Sequence, residues 1–158
     1  MLNAGAHFNV FGDAGAACGH SMTAGDILVR GRAGHSLGAF ANGGFIGVHG
    51  TAQHACGLGL NGADVVVRQS VGPRAAYGMR DGNLVLGSDA GENLGEACSG
   101  GTIYVRGNAL SISDTLREVR MRESDAMRLG LLLVRAGIKS ATKEFRVYRP
   151  RAQATSHA

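Results

Sequence analysis

Residues 88–106 read SDAGENLGEACSGGTIYVR, and residues 31–49 read GRAGHSLGAFANGGFIGVH. Laid on one another they share Ala-Gly at the third and fourth places, Gly at the eighth and Gly-Gly at the thirteenth and fourteenth, followed by an alternating apolar pair. Working outward, units of the same 19-residue length start at Gly12, Gly31, Gly50, Gln69 and Ser88, and a sixth starts at Gly107 and breaks off. The register holds without an insertion from Gly12 to Arg106. A fixed period near 20 residues with one strand pattern per unit marks a solenoid, in which each unit buries its apolar face only against its neighbours.

The apolar pairs are Ile27/Val29, Ile46/Val48, Val65/Val67, Leu84/Leu86 and Ile103/Val105. Their period of two puts each pair on one face of a strand. The residues between them, such as Leu28, Val66, Val85 and Tyr104, face the other way. Several of these are apolar too, so part of the outer face should be covered. The third place in each unit is small: Ala14, Ala33, Ala52, Val71, Ala90 and Ala109. Small inward residues suit a narrow interior.

Glycine recurs at fixed corners: Gly15, Gly34, Gly72 and Gly91 at the fourth place, Gly19, Gly38, Gly57 and Gly95 at the eighth, and Gly25, Gly44, Gly82 and Gly101 at the fourteenth. These twelve are the candidate structural residues, since a coil turning several times needs positive φ or close backbone approach. So much glycine would weaken a helical repeat. The pattern predicts an all-β fold, a single-stranded right-handed parallel β-helix over residues 1–112, with a helical cap and basic tail over 113–158. Coils should rise by about 4.8 Å, the spacing of paired strands.

Both ends carry expectations. Met1 to Phe11 reads as the second half of a preceding coil, with Phe8 and Val10 as its inward pair, and its open edge would template pairing with another chain. In the tail, Ser113-Asp114 and Ser124-Asp125 are candidate helix starts. Met127, Leu131 and Val134 follow at helical spacing, with Gly137 just past the end. Residues 129–134 are apolar nearly all round, so this helix wants burial on more than one side. It is expected to close the end of the coil stack, with a short strand from Phe145 to Tyr148 stopped by Pro150 and a frayed terminus after it.

The formal net charge of +4 is made by the tail. Met1 to Arg106 holds six Lys/Arg and seven Asp/Glu, whereas Gly107 to Ala158 holds ten and five. A basic tail suits nucleic acid or an acidic patch on a protein. The arginines lie along an apolar helix pattern without aromatic interleaving, which favours the protein. No basic-then-apolar leader follows Met1, and no stretch has enough apolar residues to span a bilayer, so a cytoplasmic protein is expected.

Chemistry-bearing groups are sparse. Cys18 and Cys56 both sit at the seventh place, two coils apart, about 9.6 Å on the strand spacing and beyond disulfide reach. Cys98 sits at the eleventh. All three read as small buried residues. His35 and His54 share the fifth place of adjacent coils and should stack; Pro73 and Glu92 continue that column, and no third metal ligand is evident. Asp89, Glu92 and Glu96 read as surface groups of the fifth coil. The recurring Gly-x-Ala-Gly belongs to the coil and is no nucleotide fingerprint. No catalytic, cofactor-binding or metal residue is assigned.

The repeat resembles the GXGXG β-helix family, which includes the C-terminal domain of the glutamate synthase large subunit. It also includes the β-helical scaffold subunits of formylmethanofuran dehydrogenase and of the related formyltransferase/hydrolase complex. Residues 64–74 (DVVVRQSVGPR), the step from Ser88 to Glu96, and Ile103-Tyr104-Val105-Arg106-Gly107 followed by a tail ending in Glu144-Phe145-Arg146 are similar to the glutamate-synthase-like subunits of N-methylglutamate synthases. The resemblance covers most of Gly12 to Phe145. It implies a non-catalytic subunit positioned between a glutamine-amidotransferase-like subunit and a synthase-like subunit carrying FMN and an iron–sulfur cluster. The formyl-transfer scaffold is the alternative, and the degenerate places Gln53, Ala63 and Ala76 count against it. A self-assembling β-helix using its open end is a third.

Overall fold

A computed structural model describes residues 4–151. The reading of Met1 to Asn3, and of the terminus after Arg151, falls outside the described residues. Six strands run in parallel: β1 (Ala4–Val10), β2 (Ala24–Val29), β3 (Phe45–Val48), β4 (Asn61–Val67), β5 (Asp81–Leu86) and β6 (Thr102–Val105). After them come β7 (Leu116–Val119), α1 (Glu123–Ala136), a 3₁₀ turn (Thr142–Glu144) and β8 (Arg146–Pro150). One eight-stranded sheet results, in the order β1-β2-β3-β4-β5-β6-β8-β7. The described residues are mostly β, a solenoid of about five turns with one α-helix after the coils.

Parallel pairing sets each inward residue on its counterpart one unit away. Ile27 pairs with Ile46, Ile46 with Val65, Val65 with Leu84, and Leu84 with Ile103. Opposite this sheet, Ala14, Ala33, Ala52 and Val71 form a second column of bridges. The interior between the columns is apolar, with Met22, Leu37, Leu60, Met79 and Leu94 fully or almost fully buried. Burial of aliphatic side chains at about 25 cal/mol per Å² is the main force holding the stack together.

The corner between the columns is built from left-handed residues. Ala17, Gly19 and Ser21 have positive φ, and so do Ser36/Gly38/Phe40, Ala55/Gly57/Gly59, Arg74/Ala76/Gly78 and Asn93/Gly95/Ala97. Each left-handed residue of L configuration costs roughly 1–2 kcal/mol. The return is hydrogen bonding in both directions along the axis. Ser36 N–H donates forward to His54 O and Phe40 N–H to Leu58 O, while Gly38 N–H donates back to Cys18 O. The same alternation recurs at Ala55, Gly57 and Gly59. Alternate peptide planes are flipped, so these corner amides find partners in adjacent coils, and each bond offsets about 1 kcal/mol.

The tail departs from expectation in three ways. Ser113-Asp114 does not start a helix: β7 follows, paired antiparallel with β8. The helix does not close the end of the stack; β8 does, pairing antiparallel with β6 from Ile103↔Tyr148 to Val105↔Arg146. Antiparallel pairing satisfies the edge of β6 directly, which a helix cannot do. The helix instead covers the outer face of the sheet. Finally, Pro150 ends β8 within the strand, paired with Leu116.

A second apolar layer explains the apolar outward residues. Phe45, Val66, Val85 and Tyr104 are buried against Leu129, Leu132, Leu133 and Ala136 of α1, with Phe145 and Val147 completing the cluster. Leu28, nearer the first coil, is only half-buried.

Candidate interaction surface

Helix α1 is fastened at both ends. At its start the backbone N–H of Arg122 donates to Asp125 Oδ2 at 3.0 Å. The other Asp125 oxygen accepts from Arg149 of β8. At its end Gly137 adopts φ 74°, and its N–H bonds back into the last turn. His49 Nε2 of the second coil donates to the Ala136 carbonyl at 2.8 Å, and Arg135 pairs with Asp26 while lying 4.6 Å over the Phe45 ring. The helix is therefore held against β2 and β3 as well as the tail. The candidate start Ser124-Asp125 falls inside its first turn, with Arg122 as the N-cap.

Asp125 is the one buried carboxylate of the described core. Burial works to raise its pKa, but the Arg122 amide and the Arg149 guanidinium outweigh it and hold it below the ordinary aspartate value. A lowered folded-state pKa stabilises the fold above the unfolded value of 3.8 and loses that contribution as pH falls through the folded value. Asp125→Asn is expected to cost on the order of 3 kcal/mol at neutral pH, because Arg149 loses its charge partner. The variant should also show a flatter acid limb in urea unfolding below the unfolded aspartate value. Identical acid limbs in the two proteins would count against this role.

The outer side of α1 exposes three large apolar residues among charged ones. Met127 is 67 % exposed, Leu131 67 % and Val134 77 %. Spaced i, i+4 and i+7, they form a ridge about 10 Å long at 1.5 Å per residue. Gly130 lies beside the ridge. Such a row of exposed large apolar side chains is a candidate interaction site.

Two open grooves lie where the helical tail meets the coils. One, of about 670 Å³, lies between the Gly82 and Gly100-Gly101 corners and Arg128, Arg149 and Arg151. The other, of about 610 Å³, lies between Arg68, Gly87 and Arg106 of the coils and Gly137 to Ser140 after the helix. The Tyr104 hydroxyl of β6 is buried and makes no hydrogen bond. Burial pushes this phenol up, and Arg128 is near enough to oppose the shift.

The residues singled out from the sequence lie elsewhere. The His35 and His54 rings stack, 4.9 Å apart and 13° from parallel. Among the described residues no group of three or more His, Cys, Asp or Glu is placed to hold a metal ion. Cys18, Cys56 and Cys98 are all free thiols; Cys56 and Cys98 are buried and Cys18 half-buried. Burial pushes Cys56 up to about 12 and raises Cys18 and Cys98 as well. Asp89 accepts the Asn108 N–H at 2.9 Å, while Glu92 is exposed. His20 contacts Ser21 Oγ and the edge of Phe40.

The twelve candidate glycines divide by cause. Gly19, Gly25, Gly38, Gly44, Gly57, Gly82, Gly95 and Gly101 have positive φ. The fourth-place glycines do not. A Cβ on Gly91 would stand 2.6 Å from the Pro73 nitrogen, and Gly34 and Gly72 are nearly as close to the preceding coil. Gly15 has open space around it.

The candidate feature that sequence reading passes over is the ridge. The helical spacing of Met127, Leu131 and Val134 suggests a packing face, whereas the buried face is Leu129, Leu132, Leu133 and Ala136. The signal is present in the chain: two apolar stripes about two positions out of phase, on opposite sides of the helix, of which the β-branched and aromatic outer face of the sheet can cover only one. No helix of the described residues is long and apolar enough to cross a membrane. Neither a protein-family model nor a curated protein sequence matches this chain.

Proposed function

We propose that this chain is a non-catalytic structural and assembly subunit of a glutamate-synthase-type complex, an N-methylglutamate synthase of methylamine and glutamate metabolism. The exposed apolar ridge of α1 carries the proposal, together with the family resemblance of the repeat. A solenoid gives a stiff rod, and a ridge fixed to its flank gives partners a defined place to dock. In this proposal a glutamine-amidotransferase-like subunit and a synthase-like subunit bearing FMN and an iron–sulfur cluster are the partners, in the cytoplasm. The coil is right-handed with a 19-residue period. Support comes from strand partners one repeat unit apart, as in Phe45↔Asp64, and from the right-handedness of about 98 % of parallel crossovers.

The test is the chain purified alone. It is expected to show no flavin absorbance and no glutamine-dependent or methylamine-dependent activity, and to gain a role in turnover only when partners are added. Stoichiometric flavin on the isolated chain would overturn the proposal.

A further inference from the structure

The charge around the ridge says what kind of surface sits on it. Arg68 and Lys139, on the walls of one cleft, take part in no ion pair among the described residues. Arg128, next to Met127 on α1 and lining the first groove, takes part in none either. A third groove, at the start of α1, is lined by Arg117, Arg120 and Arg122. The nearby acids are largely engaged: Asp26 with Arg135, Asp125 with Arg149, and Glu144 with Arg106. Glu118 and Glu123 line the third groove, and Asp81 the first cleft. Arg122 also pairs with Asp125, but Arg128 beside Met127 on α1, and Lys139 just past the helix, carry charge with no ion-pair partner, so the surface near the ridge is mainly cationic.

An apolar centre inside a polar rim is the anatomy of a protein interface. We propose that the α1 ridge docks an acidic amphipathic helix of a partner protein, whose apolar stripe meets Met127, Leu131 and Val134. Its carboxylates fall on Arg128 and on Lys139. The inference rests on the assembly function proposed above and adds the partner's chemistry. A second copy of this chain does not fit, because two cationic rims would face each other, and like charges across an interface cost several kcal/mol. A bilayer does not fit well either. The broad apolar face of α1 is already buried on the sheet, and the ridge lacks aromatic anchors.

The test uses the full chain and two labelled amphipathic helical peptides of one leucine stripe, flanked by glutamates in one and by lysines in the other. Fluorescence anisotropy should show the acidic peptide binding about tenfold or more tighter, an advantage that shrinks as salt screens the rim. Leu131→Asp should weaken that binding about tenfold or more, as loss of a central contact does, with an unchanged melting profile because Leu131 is exposed. Equal affinity for both peptides, no binding, or indifference to Leu131→Asp overturns the inference. So does stronger capture by phosphatidylserine vesicles than by the acidic peptide, or dimerisation of the chain through this face. If wild-type chain still co-purifies with its enzyme partners while the peptides fail, the partner chemistry is wrong and the assembly function stands. If no partner co-purifies, the assembly function falls.

Discussion

Tyr104→Ala is expected to lower the unfolding free energy by about 3–5 kcal/mol, the range for emptying a large aromatic site in a core. Tyr104 has no exposed surface. It stands at the end of the outward column, where the sheet, α1 and β8 meet, in one cluster with Leu129, Phe145 and Val147. Truncation would leave a void between layers that rigid strands cannot close. It should therefore loosen α1 before the coils, visible as early proteolysis around residues 120–122 ahead of global unfolding in urea. Tyr104→Phe separates the ring from its hydroxyl. That hydroxyl is buried without a hydrogen bond, so removing it should cost nothing and gain up to about 1 kcal/mol. A loss below about 1 kcal/mol for Tyr104→Ala would mean that the helix is not packed on the sheet.

Gly44→Ala should be nearly as damaging, for a different reason. Gly44 has φ +91°, and a Cβ there would stand 2.6 Å from Met22 Cε and 2.7 Å from the Gly25 carbonyl oxygen. Left-handed strain alone costs roughly 1–2 kcal/mol. The clash with the coil beneath cannot be relieved without separating two stacked corners, so a total of about 3 kcal/mol or more is expected. Gly78 is the control. It is also left-handed at φ +66°, but nothing lies within 4 Å of its would-be Cβ. Gly78→Ala should cost about 1 kcal/mol, the strain without the clash. Ala97 already occupies the matching place one coil on, with φ 59°. Equal midpoints for the two variants in urea unfolding would show that coil stacking does not set the glycine requirement.

The contrast between these glycines shows what is legible in the sequence. Strands and inward columns follow from the alternation Ile46/Val48 and Leu84/Leu86, because a one-residue slip would turn every inward side chain out. The corner at the fourteenth place follows from Gly-Gly, where a side chain would meet the coil beneath. The left-handed sixth place does not. It is held by Ala17, Ser36, Ala55, Arg74 and Asn93, residues with no common local preference. Their conformation is imposed by hydrogen bonds between coils, which no single unit contains. The tail is legible in its elements and not in their arrangement. Gly137 announces the helix end, but whether α1 caps the rod or flanks it depends on β8 taking the free edge of β6, a pairing between residues about 40 apart that periodicity does not encode. The ridge is hidden for the same reason: which stripe of a doubly apolar helix faces inward is decided by the sheet it meets.

The most direct measurement is affinity purification of the tagged chain from the cells that make it, with mass spectrometry of its company, for wild type and Leu131→Asp side by side. Wild type is predicted to bring down an amidotransferase-like subunit and a flavin- and iron–sulfur-bearing subunit in fixed ratio, and Leu131→Asp to lose at least one of them while remaining folded. Recovery of formyl-transfer subunits instead, or of the chain alone as monomers or filaments, would contradict the proposed function.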